Sequence, residues 1–345
     1  MESKVYKRSH WYKCTEDQIT RHTTQNYTRN TTSFCVKDGI FFNNKSMHSQ
    51  HQYNYVHKNS DLCTRNNAHN DTVFLLIMCL TAPAEMNRRT AIRKTWAKVT
   101  HVLGRRVATI FLLAKEVGKM HTLNEIIARE SEMFGDICKE DFIDSYQNLT
   151  LKTMMGFRWV NSFCNQTKFV LKIDSDTIPN LPNIVRHLIE KRMNTTTFEG
   201  YVMKGKNPVR KYDASNMKIS KWYVSESVYP HPTYPPYVNG PSYLVSSNLV
   251  NPIVSVSEHI PYIPIEDVYV GMLMKTIGVR PTYNHRYTQH RMSLKSKSTT
   301  LDALCTFSKA FTVFIFNPVE KVHDFWKLLK HFDANECENK SLPYH

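Results

Sequence analysis

Three continuous apolar runs, alternating with helical patterns, constrain what this chain can fold into. VFLLIMCL (73–80), RVATIFLLA (106–114) and FVLKI (169–173) have strand length and little polar interruption, as strands buried on both faces do. After the first run, EMNRRTAIRKTWAK places Met86, Ile92 and Trp96 at helical spacing. Residues 119–133 carry Leu123, Ile126, Ile127 and Met133 in the same fashion. Residues 148–163 do so with Leu151, Met154, Met155, Trp159, Val160 and Phe163, and a further helix is predicted over about 181–192. The alternation predicts an α/β fold with a mainly parallel central sheet flanked by helices. Ligands of such sheets bind at the carboxyl ends of the strands, and FVLKI ends there in Asp174 and Asp176.

At 345 residues the chain accommodates one such domain with appendages. Its 41% hydrophobic content excludes a disordered protein. Residues 1–70 are polar and lack periodicity, which predicts a stem or poorly ordered lead-in; the folded unit is expected over 71–335, with a tail at 336–345. Past residue 200 the pattern is less regular, with YPHPTYPPYVNGPSY (229–243) rich in Pro and Tyr. EDVYVGMLMKTIG (266–278) then reads as an acidic cap leading into an apolar helix stopped by Gly278.

Lys and Arg number 45 against 30 Asp and Glu, a formal charge of +15 that favours anionic partners: a nucleotide diphosphate, nucleic acid or an anionic membrane. The basic residues are scattered, without the compact runs of nucleic-acid patches, so a nucleic-acid role is set aside. Eight Asn-X-Ser/Thr sequons (Asn26, Asn30, Asn44, Asn70, Asn148, Asn165, Asn194, Asn339) and eight cysteines point to the secretory pathway. The longest strongly apolar run, Val73 to Leu80, is far short of the roughly 20 residues that span a bilayer. MESKVYKRSHWYKC lacks the apolar core of a signal peptide; either the entry route is unconventional or the true N-terminus lies upstream of this chain, and the second is expected.

In an extended segment residues i and i+2 project to one side, which lets Asp174 and Asp176 converge. Two close carboxylates are costly unless a cation neutralises them, and oxygen ligands suit Mg²⁺ or Mn²⁺. A turn with an Asx hydrogen bond accounts for the same residues equally well.

Five further stretches decide between the two. RRTAIRKTW (88–96), DFIDSYQNLTLKT (141–153), KWYVS (221–225), YPPYVNGPSY (234–243) and EDVYVG (266–271) occur in an order and spacing that resembles the β-1,3-galactosyltransferase family. That family includes β-1,3-galactosyl- and β-1,3-N-acetylglucosaminyltransferases, and the resemblance runs from about Val73 to Trp326. It implies a GT-A fold, with 71–335 as the catalytic domain, and an inverting transfer from a UDP-sugar to a hydroxyl of a glycoprotein or glycolipid glycan. It also implies the Golgi lumen and an N-terminal membrane anchor. DSD, with RWV and FC before it (158–164), is similar to the β-1,3-galactosyltransferases and implies UDP-galactose.

Carried over by motif, Asp176 would be the direct ligand of Mn²⁺ or Mg²⁺, and Asp174 would assist around ribose and metal. Asp267 would be the general base, because a sugar hydroxyl is a poor nucleophile until a carboxylate takes its proton. One base opposite the leaving UDP gives inversion. A carboxylate stabilising a helix N-terminus is the plainer account of Asp267, and the two roles are compatible. Arg89, Arg93 and Lys152 are expected on the nucleotide side, where forked guanidinium donors suit phosphate; a solvated basic helix face is the alternative for the arginines. Asp144, Tyr146 and Asn148 are expected beside the nucleotide pocket. Glu266, Trp222, Tyr234, Tyr237 and Gly240 are expected on the acceptor side, unless the aromatics are ordinary core.

The chain departs from the family at three places. Thr312-Val313-Phe314 stands where a TVH-like stretch commonly supplies a histidine to the metal, and phenylalanine cannot ligate; His323 and His290 are nearby substitutes outside the motif position. Asn239-Gly240-Pro241-Ser242-Tyr243 replaces an SGTGY-like acceptor stretch. Val238 and Leu273 occupy two positions often held by cysteines, as the loss of a disulfide would leave them. The alternatives to an active galactosyltransferase are a catalytically weak or inactive relative that binds nucleotide sugar or glycan, and a β-1,3-N-acetylglucosaminyltransferase.

Overall fold

A computed structural model describes residues 51–65, 71–116, 118, 121–191, 195–211, 221–292, 296–315 and 319–337. It also describes three segments, Ile19–Arg21 (β1), Ser33–Lys37 (β2) and Ile40–Asn43 (β3), which pair antiparallel with one another. The rest of the expected lead-in lies outside the described residues.

The main sheet has nine strands. Its parallel centre is Val73–Leu80 (β5), flanked by Phe169–Asp174 (β9) on one side and Arg105–Lys115 (β7) then Ile137–Ile143 (β8) on the other. Tyr55–His57 (β4) and His101–Val102 (β6) add antiparallel to β8 and β7. On the far side of β9, Tyr237–Ser246 (β12) runs antiparallel, followed by Phe198–Met203 (β11) and Thr282–Tyr283 (β13). A second, three-stranded sheet joins Thr177–Pro179 (β10), Thr312–Ile315 (β15) and Tyr287–Met292 (β14).

The uninterrupted apolar run of β5 reflects burial on both faces. Leu76, Met78 and Leu80 enter one core layer, while Leu75, Ile77 and Cys79 enter the other. The first layer is completed by one set of helices and the second by another. Met86–Lys94 (α1), His121–Phe134 (α2) and Leu181–Glu190 (α4) contribute Ile92, Ile127 and Val185 to the layer of Leu75. Leu149–Phe163 (α3), Val250–Ser257 (α5) and Glu266–Thr276 (α6) contribute Trp159, Ile253 and Leu273 to the layer of Leu76. Lys297–Lys309 (α7) and Val319–Leu329 (α8) add Ala303 and Phe325 to the layer of Leu75. The predicted Gly278 stop holds: its φ is +76°, a conformation that favours glycine, and its N–H donates to the Lys275 carbonyl at 3.0 Å.

The boundary expected at residue 71 falls inside packed structure. β4 extends the sheet edge, Cys63 is bonded to Cys164, and Trp159 Nε1 donates to the Lys58 carbonyl at 2.5 Å. Arg106 donates to the carbonyls of Leu62, Cys63 and Arg65. An edge segment held through its backbone and one disulfide needs no apolar run, so its texture is polar. Cys337, placed in the expected tail, is likewise bonded to Cys305. Val238 and Leu273 are fully buried in one apolar layer, and Cys79 and Cys138 are buried thiols.

Candidate active site

β9 ends at Asp174 beside Leu80, the last residue of β5, and Ser175 N–H donates to the Leu80 carbonyl at 3.1 Å. The chain then turns through Ser175 and Asp176 into β10. Asp174 and Asp176 therefore meet through a turn, not through the extended alternation their spacing first implies. They line a cavity of about 680 Å³ with Glu266, Asp267, Lys172 and Phe314. Trp222, Tyr234, Tyr237 and Gly240 line the same cavity. The structure thus brings together the three aspartates and the five residues expected on the acceptor side.

Asp267 occupies the first turn of α6, its Oδ1 accepting from Val268 N–H at 2.8 Å and its Oδ2 from Gly240 N–H at 3.0 Å. Burial, and then the neighbouring Glu266 carboxylate, push its carboxyl up to about 7, against the pull of those N–H donors and Lys172. Glu266 accepts from the Tyr243 hydroxyl at 2.7 Å. α6 approaches the YPPY segment so closely that a Cβ at Gly271 would stand 2.5 Å from Tyr237 Cβ, which is why this helix position is glycine.

On the other wall, burial and then Asp174 raise the Asp176 carboxyl to about 6. Its Oδ1 is buried without a hydrogen-bond partner, and Phe314 sits opposite Thr177 in the β10–β15 register. Among the described residues, no group of three or more His, Cys, Asp or Glu is arranged to hold a metal ion. His323 lies on α8, and the side chain of His290 lies outside the described residues.

Arg89, Arg93 and Lys152 are not brought to the cavity wall. Arg89 is fully buried and donates to both oxygens of Glu130, at 2.8 and 2.7 Å, and to the carbonyls of Ala82 and Pro83. Arg93 donates to Glu130 and to both oxygens of Asp136, with its guanidinium 4.1 Å from the Phe134 ring centre. Lys152 donates to the Thr81 carbonyl at 2.9 Å and to both oxygens of Asp144. These cations tie down the loop after β5 and its surroundings and do not line this cavity. Asn148 is also turned to the backbone, donating to the Ile143 carbonyl at 2.8 Å, whereas Tyr146 lines the cavity and accepts from Trp222 Nε1 at 2.9 Å.

The site residue missed from sequence is Lys172. It shares a strand face with Asp174, two residues on, and a lysine inside an apolar strand is the signal that could have exposed it.

A profile of the galactosyltransferase family matches residues 87–285. The chain belongs to the galactosyltransferase family. It is accordingly a hexosyltransferase, acting between a sugar donor and a glycan acceptor. Galactosyltransferase relatives include Beta-1,3-galactosyltransferase 1 of Homo sapiens, 35% identical over 278 residues, covering 80% of this chain and 78% of that protein. Beta-1,3-galactosyltransferase 5 of Mus musculus is 35% identical over 267 residues, 76% of this chain and 81% of its own. No described helix of this galactosyltransferase is long and apolar enough to cross a membrane.

Proposed function

We propose that this chain transfers galactose from UDP-galactose to a glycan hydroxyl in β-1,3 linkage, with inversion at the anomeric carbon. The observation that carries the reading is the convergence of Asp267 with Asp174 and Asp176 on one cavity. Asp267 takes the proton of the acceptor hydroxyl as that oxygen attacks, and a carboxyl near 7 is well matched to the task at neutral pH. Gly240 N–H and Val268 N–H hold its two oxygens and so fix its direction. Trp222, Tyr234 and Tyr237 offer ring faces and polar tips to the acceptor sugar.

Asp176, with its unpartnered buried oxygen, and Asp174 fit a hard cation, Mn²⁺ or Mg²⁺. Bound there, the ion would neutralise charge on the departing diphosphate. Phe314 contributes no ligand, so among the described residues the protein's share of the coordination is these carboxylates. The two described disulfides and the sequons fit a secretory compartment, and we assign the reaction to the Golgi lumen, on glycoprotein or glycolipid glycans.

Phe314 also favours a second reading, a relative that binds nucleotide sugar or glycan with little turnover. The two separate when the protein is incubated with UDP-galactose or UDP-N-acetylglucosamine, Mn²⁺ and a panel of glycan acceptors. UDP release with galactosylated product, abolished by chelator, supports the first. Nucleotide binding without turnover on any acceptor supports the second, and faster use of UDP-N-acetylglucosamine would correct the donor.

A further inference from the structure

Lys172 is 2% exposed on β9, directly across from Tyr243 of β12. Its ammonium donates to Asp174 Oδ1 at 2.7 Å and to the Gly240 carbonyl at 2.5 Å, and lies 3.5 Å from Glu266 Oε2. Three segments remote in sequence thus meet at one nitrogen. The Gly240 peptide carries the connection on, since its N–H donates to Asp267.

We propose that Lys172 is a positioning residue, holding the base-bearing start of α6 and the Gly240 peptide in register with the donor-side Asp174. The proposal rests on the reading of Asp267 as general base. A buried ammonium carries a desolvation cost that an apolar residue would avoid if packing were the only requirement. Here the cation lies among carboxylates that otherwise repel one another, and its contacts reach the donor-side Asp174, the Gly240 that holds Asp267, and Glu266 beside Asp267. Asp267 is also faced by Glu266 from its own helix, by Tyr234 and Tyr237 from the YPPY segment, and by Tyr146 ahead of α3.

The test compares wild type with Lys172→Met and Lys172→Arg in steady-state kinetics and in the pH dependence of kcat/KM. Displacement of a base by about 1 Å predicts a loss of about 100-fold in kcat for Lys172→Met. Loss of the nearby cation moves the acid limb of the profile up by about one pH unit, and Lys172→Arg returns that limb towards wild type. A folded Lys172→Met with kcat within about threefold of wild type, or with an unmoved acid limb, overturns the proposal while leaving the galactosyltransferase reading intact. Where Lys172→Met does not fold, Lys172→Gln, which keeps a donor without the charge, is judged by the same two outcomes. If wild type turns over no acceptor, the functional reading fails by itself, and Lys172 is judged by ¹³C NMR titration of the Asp267 carboxyl. An upward shift in Lys172→Met upholds its role, and no shift refutes it.

Discussion

Two clusters of buried charge in this protein follow opposite rules. Around Glu130, two arginines face two carboxylates, and the forks of both guanidiniums are engaged. In the cavity, the side chains of Asp174, Asp176, Glu266 and Asp267 surround one buried lysine. Burial works to raise the Glu130 carboxyl, but hydrogen bonds and charge from Arg89 and Arg93 outweigh it and hold it below its ordinary value. In the cavity nothing outweighs burial and like charge, and Asp267 and Asp176 are both pushed up. The balanced cluster is neutralised within the fold; the unbalanced one leaves two carboxyls that hold a proton more readily than ordinary ones.

The largest effect that separates them is catalytic. Asp267→Asn is expected to lower kcat by about 10³-fold, as removal of a general base does, with thermal unfolding unchanged or shifted upward. Retained turnover would remove Asp267 from the mechanism. Glu130→Gln is expected to do the reverse. It leaves Arg89 buried beside a neutral group, at a cost of about 3–5 kcal/mol read from urea unfolding, while the folded fraction keeps its kcat.

The pH dependences should also oppose each other. Asp267 binds its proton more tightly folded, near 7, than at its ordinary 3.8, so its contribution to stability declines as pH rises through that window. Asp267→Asn should therefore gain stability relative to wild type as pH rises from about 4 to about 7, while wild-type kcat/KM falls as pH drops below about 7. Glu130 contributes stability above its ordinary 4.5 that is lost as pH falls through its depressed folded value, so Glu130→Gln approaches wild type in stability only in acid.

Smaller effects sharpen the cavity's side of the contrast. Phe314→His adds a ligand type beside Asp176 and is expected to lower the Mn²⁺ concentration for half-maximal activity on the order of tenfold, measured by metal titration. The Tyr234 hydroxyl is buried without a partner, and its removal in Tyr234→Phe should cost the acceptor one hydrogen bond. That predicts an acceptor KM raised about fivefold, near 1 kcal/mol, with the donor KM unmoved.

Much of this was legible in the residues. β5, β7 and β9 stand out as apolar runs because both faces are buried, and Asp174 and Asp267 mark the end of a strand and the start of a helix. β4, β11 and β14 were not legible, since edge and mixed strands lack a continuous apolar pattern. The partners of Arg89, Arg93 and Lys152 were not legible for a physical reason. A basic residue on a helix looks the same in sequence whether it meets a phosphate or a carboxylate folded against it, and Glu130 and Asp136 lie 41 and 43 residues from their arginines.

By itself, the sequence determined the α/β alternation, the carboxyl edge where the aspartates gather, and the family, because these rest on local periodicity and contiguous motifs. Only the tertiary structure decided which charges are balanced. That depends on partners such as Lys172 and Gly240, 68 residues apart, whose contact exists once β9 and β12 pair and α6 closes over them.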